Sequence, residues 1–194
     1  MTDADQQRSP DYGAPLGLFD WAESYARVSE CERYRYTLGR IWEPSRPQLT
    51  YVMLNPSTAD ASADDPTIRK CRGFAERLGF GGIHVVNLYA FRATKPQALW
   101  ASQASGVDIV GPENDDVLRE AFRRGDAVAA WGAHGKADRV EFVSILARAV
   151  GARLHALSVT KSGAPGHPLM LPYSSALTPW PTTPFPSGSD GGVS

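Results

Sequence analysis

Cysteine is nearly absent, for the 194 residues include only Cys31 and Cys71. Two thiols exclude a disulfide framework and any four-cysteine zinc or iron–sulfur site within one chain. A surplus of charge is missing too. Twenty basic residues stand against 21 acidic ones, a net charge of −1. No bulk positive field exists to hold a long polyanion, so nucleic acid would need a local groove. No stretch approaches the ~20 apolar residues of a membrane span. The opening MTDADQQRSPDYG is polar and acidic, without an apolar run of signal-peptide length. A reduced, cytoplasmic setting without a membrane partner is expected.

Several catalytic signatures are also missing. GAHGK resembles the end of a phosphate loop, but Ala130 stands where that motif needs glycine, and Ala137 where it needs Ser or Thr. There is no G-x-G-x-x-G after a strand and no G-x-S-x-G elbow. His84, His134, His155 and His167 lack metal-site spacing. No cofactor or metal site is implied.

What is present is an alternation of strand and helix patterns. The 42% apolar content suits one core, and a chain of this length leaves little room for a second full domain. The expected organisation is a disordered tail at 1–15, one α/β domain at 16–180, and a Pro-, Gly- and Ser-rich disordered tail at 181–194. Tyr34, Tyr36 and Leu38 step by two through RYRYTLGRIW, and EPSRPQ separates this run from LTYVMLN, which suggests an antiparallel pair. Asp65 is placed to cap a helix with Pro66 at its first position, and Ile68, Cys71, Phe74, Ala75 and Leu78 follow at helical spacing. Cys71 thus reads as a buried thiol. Strand IHVVNLYAF, helix PENDDVLREAFRRG, strand AVAAWG, a helix near 137–150 and strand LHALSV complete the pattern. Such repetition argues for a mainly parallel sheet with helices on both faces. Ligands then bind beyond the carboxyl ends of the strands, where NPSTADASADD, FRATKP, GAHGK and TKSGAPGHPLMLP collect.

Three groups in those loops invite chemistry. Asp60, Asp64 and Asp65 crowd one loop, which suits a hard cation or a general base. Asp65 and Asp64 also have helix-terminus roles, leaving Asp60 without a structural one. Asn87 interrupts an apolar strand, and a buried amide must find partners or cost about 1–3 kcal/mol. It either braces the neighbouring Asn55 loop or reads the edge of a planar heterocycle. His167, held before proline, either packs or donates a hydrogen bond to developing negative charge.

Taken in order, RYRYTLGRIW, VMLNPSTAD, DDPTIRKCRGFAERLGFGG, VVNLYAFRAT, GPEND, AAWGAHG and TKSGAPGHPLMLP resemble a bacterial family known as domain of unknown function 1643, over about residues 33 to 180. More distantly, LNPST, VVNLYAFRAT, AAWGAHG and GHPL are similar to the ordered motifs of the uracil-DNA glycosylase superfamily. That resemblance implies a three-layer α/β/α sandwich in which Asn55 holds the water that attacks the sugar C1′, Asn87 reads the base edge and His167 hydrogen-bonds the base oxygen. Pro56, Ser57, Thr58, Asp60, Phe91, Arg92 and Lys161 would contact substrate, with Tyr89 or Phe91 as an aromatic neighbour of the base.

The chain departs from the superfamily in lacking the Gln-Asp-Pro-Tyr form of the first motif, the serine-rich segment after the His-Pro loop, and the four cluster cysteines. Asn55 would therefore orient water rather than take its proton. The ligand is expected to carry a nucleobase, in DNA or a smaller nucleoside. For DNA, Arg69, Lys70, Arg72, Arg92, Lys95 and Lys161 would have to line one groove. The alternatives are a binding module for a nucleotide or modified base without turnover, and a metal-assisted phosphohydrolase using Asp60, Asp64 and Asp65.

Overall fold

The computed structural model describes residues 22–57 and 65–180. The tails expected at 1–15 and 181–194 lie outside those residues, as do Thr58, Asp60 and Asp64. In chain order the elements are β1 (Glu23–Val28), β2 (Arg35–Ile41), β3 (Gln48–Met53), α1 (Pro66–Arg77), β4 (Gly82–Asn87), α2 (Pro96–Ala104), α3 (Asn114–Arg123), β5 (Ala127–Ala129), α4 (Ala137–Ala149), β6 (Leu154–Ala156) and β7 (Thr178–Pro179). Short 3-10 turns occupy Gly132–His134 and Pro168–Met170. No helix among the described residues is long and apolar enough to cross a membrane.

The strands form one mixed sheet in the order β1-β2-β4-β3-β5-β6-β7. Its middle four, β4-β3-β5-β6, run parallel, while β1, β2 and β7 pair antiparallel at the flanks. The antiparallel pairing expected between the Tyr36 and Tyr51 strands is not formed. β4 lies between them, with Leu38 opposite Val85 on one side and Tyr51 opposite Val85 on the other. All six β4 residues are buried, so this strand needs neighbours on both edges and cover on both faces. The 43–47 turn straddles the start of β4 instead of closing a hairpin. Trp42 and Glu43 N–H groups donate to the Gly81 carbonyl, and Gly81 N–H donates to the Pro47 carbonyl. Only glycine fits there, since a Cβ on Gly81 would stand 2.0 Å from the Glu43 carbonyl oxygen.

A bulge corrects a second expectation. Between Arg27 and Val28 the β1–β2 register shifts, with Thr37 opposite Arg27 and Arg35 opposite Val28. The extra residue, Tyr36, reverses the side-chain alternation. Tyr34 and Tyr36 consequently join one core cluster and Leu38 the other.

Those clusters lie on opposite faces of the sheet. Tyr51, Met53, Ile83, Val85, Val128 and Ala130 pack with Ile68, Cys71, Phe74 and Ala75 of α1. Val52, Leu54, Val86, Leu88, Ala127 and Ala129 pack with α3 residues Val117, Leu118, Ala121 and Phe122 and α4 residues Val140, Val143 and Leu146. Local chemistry agrees with this packing. Asp65 Oδ1 accepts from the Ile68 N–H at 2.9 Å, with Pro66 opening α1. Asp115 and Asp116 occupy the first turn of α3 and Arg123 its last. Cys71 is fully buried, and burial pushes its thiol pKa up, so it is an inert core residue.

Candidate functional site

β3 has β4 on one side and β5 on the other, so the chain changes direction across the sheet at this strand. A crevice forms beyond the carboxyl end of such a strand. A cavity of about 630 Å³ occupies that place. Met53, Leu54, Ile68, Trp131, Met170 and Leu171 give it an apolar wall, and Asn55, Ser57, Asp65, Thr67, His134, Ser158, Thr160 and His167 supply polar groups. Size and lining suit a small organic ligand with one apolar part.

Each polar group is set by a different element. Asn55 follows β3, where its Nδ2 donates to the Ala93 carbonyl at 2.8 Å and the Pro56 carbonyl at 3.0 Å. Ala93 N–H donates back to the Pro56 carbonyl at 3.0 Å. The side chain thereby clamps the loop after β3 to the loop after β4. Both amide N–H donors are engaged, leaving Oδ1 as an acceptor with no partner among the described residues.

His167 ends the loop after β6. That loop is closed by the Gly166 N–H to Ser158 carbonyl bond (2.8 Å) and the Thr160 N–H to Ala164 carbonyl bond (2.8 Å). Trp180 braces it from outside, its indole N–H donating to the Gly163 carbonyl at 3.1 Å and its ring set edge-on to Trp131. Burial lowers the His167 pKa below its ordinary 6.5, with the Asp65 charge opposing. The ring is neutral at neutral pH, with one nitrogen donating and the other accepting. It makes no side-chain hydrogen bond to another described residue.

Of the sequence-predicted residues, Asn55, Ser57 and His167 meet in this cavity. Pro56 is buried beside them, and Thr58 and Asp60 lie outside the described residues. Asn87 closes β4 in register with Met53, on the α1 side of the sheet, and is 4% exposed. It does not border the cavity, although Met53 does, and its amide has no hydrogen-bond partner among the described residues. Phe91 and Arg92 line a neighbouring hollow. Lys161 is exposed in the turn before Gly163. Tyr89 is buried edge-on against Trp100, so it serves the core.

The sequence marked Asp65 as the cap of α1 and as a candidate loop acid, and it missed two further contributions. Asp65 caps α1 and also forms part of the cavity wall. Trp131 supplies an aromatic wall from the end of β5. Asn114 and Arg139 hold the end of β4 from behind. Asn114 Nδ2 donates to the carbonyls of Asn87 and Leu88, each at 3.1 Å. Arg139 Nε donates to the Leu88 carbonyl at 2.8 Å, and its Nη2 lies 2.7 Å from Asp115 Oδ1. For Asn114 the sequence signal was the polar run GPENDD at the start of an amphipathic helical pattern.

Among the described residues no three His, Cys, Asp or Glu side chains are grouped to hold a metal ion. The cations named for a DNA groove are not gathered at this cavity. Arg72 pairs with Glu76 at 2.6 Å and lies over Trp42. Lys70 sits 3.9 Å from the centre of the Tyr173 ring. No curated protein and no solved structure matches the chain. The family model described as protein of unknown function, DUF1643, matches residues 35–169, and the chain belongs to that family.

Proposed function

We propose that this chain is a uracil-DNA glycosylase-like three-layer α/β/α domain that binds a nucleobase-bearing ligand at the end of β3 and hydrolyses its N-glycosidic bond. The observation that carries the reading is the state of Asn55. Its nitrogen is spent on two backbone carbonyls, so only Oδ1 is left to engage a ligand, at the same cavity as neutral His167.

A water donating one hydrogen to that oxygen keeps a lone pair for the sugar C1′. An amide is no base, so the water's proton leaves only after the C1′–N bond has largely broken and the sugar has oxocarbenium character. The electron pair of that bond moves onto the base, where the His167 N–H hydrogen-bonds the oxygen that gathers the charge. One C–N bond breaks, one C–O bond forms, and the water's proton ends on the base. Fixed dipoles of this kind stabilise charge because they need no reorganisation as the reaction proceeds. Trp131 and the apolar wall hold the base.

Incubation with single- and double-stranded DNA carrying uracil, hypoxanthine or alkylated bases, and with free nucleosides, tests the reading by mass spectrometry of released base. Release that Asn55→Ala and His167→Ala both abolish supports it. Ligand binding without release from any substrate would instead make the domain a binding module for a base or nucleotide.

A further inference from the structure

A second hollow adjoins the cavity. Ala93 and Thr94 line both, so the two are separated by the thickness of one loop. That shared wall is the one Asn55 clamps, through the 2.8 Å bond to the Ala93 carbonyl. Any ligand atom held near Asn55 therefore lies at the border of the second hollow.

The two spaces differ in charge. The cavity contains the Asp65 carboxylate and neutral His167 and no lysine or arginine. The second hollow is lined by Arg92 and Lys95, with the Gln97 amide beside them and no carboxylate, while the Ser102 hydroxyl is spent on the Ala98 carbonyl at 3.0 Å. Arg92 is anchored by its Nη1 bond to the Glu32 carbonyl at 3.0 Å, which sets its guanidinium in place. Arg35, buried in β2, is close enough for its charge to be felt at Arg92, and extends the same positive field. Two cations and a neutral amide donor around one space, with no carboxylate among them, are a donor set for a phosphate ester.

We infer that this hollow is the phosphate subsite of the ligand, with Arg92 and Lys95 as its cationic contacts, so that the bound molecule is a nucleotide and not an uncharged nucleoside. The inference rests on the nucleobase reading of the adjoining cavity only for the identity of the rest of the ligand. The shared chemistry is a phosphate on the sugar, whether a terminal monoester or an internucleotide diester.

Inorganic phosphate is the first probe, followed on the whole 194-residue chain by amide and indole NMR. Saturable shifts at the backbone amides of Thr94, Lys95 and Gln97 are expected. They should weaken about five- to tenfold in Lys95→Gln, as for loss of a charge-assisted contact, and further in Arg92→Gln. Lys95 is exposed and has no partner among the described residues, so its variant reports on the subsite even if Arg92→Gln fails to fold. The second arm compares uridine and inosine with their 5′-monophosphates and with a dinucleoside monophosphate. A tighter monoester identifies a free nucleotide, and a tighter diester an internucleotide phosphate. Either gain should vanish in Lys95→Gln. Absence of a saturable phosphate shift, or shifts unchanged in both variants, overturns the subsite. Nucleosides that bind as tightly as their phosphates also overturn it while leaving the nucleobase reading intact. Phosphate binding at Lys95 without any nucleotide effect on the Trp131 indole supports the subsite and ends the nucleobase reading.

Discussion

At the scale of single residues, side chains here hold structure and site together, and substitutions can separate the two. Asp65 accepts from the Ile68 N–H as the cap of α1 and also lines the cavity. Asparagine caps nearly as well as aspartate, whereas alanine loses about 1 kcal/mol. Asp65→Asn should therefore unfold in urea at nearly the wild-type midpoint while removing the carboxylate beside His167, and Asp65→Ala should be less stable by that amount. Equal losses in both would show that the carboxylate charge, not the cap, stabilises the helix.

His84 gives a second residue-scale prediction. Tyr25 donates its hydroxyl hydrogen to Gln48 Oε1 at 3.0 Å, so the His84 Nδ1 hydrogen is the one in the 2.8 Å bond to that hydroxyl. Burial, with Arg124 adding repulsion, lowers the His84 pKa from 6.5 to about 4. The unfolded chain takes up this proton first as pH falls. The stability held by neutral His84 is thus complete above pH 6.5 and is lost between there and about pH 4, in total about 3 kcal/mol. Urea denaturation across that window should show a shallower pH slope in His84→Gln than in the wild type. Equal slopes would contradict the assignment.

At the scale of elements, β1 is held by one contact more than by its own burial. Its residues are exposed except for half-buried Tyr25, whose ring lies over Gly39 of β2. A Cβ on Gly39 would stand 2.0 Å from that ring, and the ring is pinned by Gln48 and His84. Gly39→Ala should cost about 1–3 kcal/mol as overpacking and speed hydrogen exchange in β1. In a Tyr25→Ala background the penalty should disappear, the coupling expected of two groups in contact. A penalty that persists would place the strain in the β2 backbone.

The same elements explain what could be read in advance. α1 was legible because Asp-Pro and a regular apolar spacing coincide in one short stretch, and α3 because its acids, arginines and apolar face agree. β1 was not, being an edge strand with charged residues and little core face. α2 was not, since Leu99 is its only buried residue and leaves no periodicity to detect.

At the scale of the whole molecule, long-range choices decided what the sequence pattern left open. The insertion of β4 between β2 and β3 depends on Gly81 admitting the 43–47 turn, a contact across almost forty residues of chain that no local pattern encodes. Asn55 and His167 could be picked out because each breaks a loop with proline at the ligand edge of an α/β sheet. Their meeting in one cavity depends on β3 standing at the reversal of strand order. Asn114 could not be picked out, because the carbonyls it satisfies lie 26 and 27 residues away. The proposed reaction turns on a water held by Asn55 that attacks a sugar carbon. The most direct measurement is base release in ¹⁸O-labelled water, with mass spectrometry of both products. One ¹⁸O is expected in the sugar and none in the base, with product lost in Asn55→Ala while ligand binding persists. Label in the base, or release undiminished in Asn55→Ala, would contradict the proposed reaction.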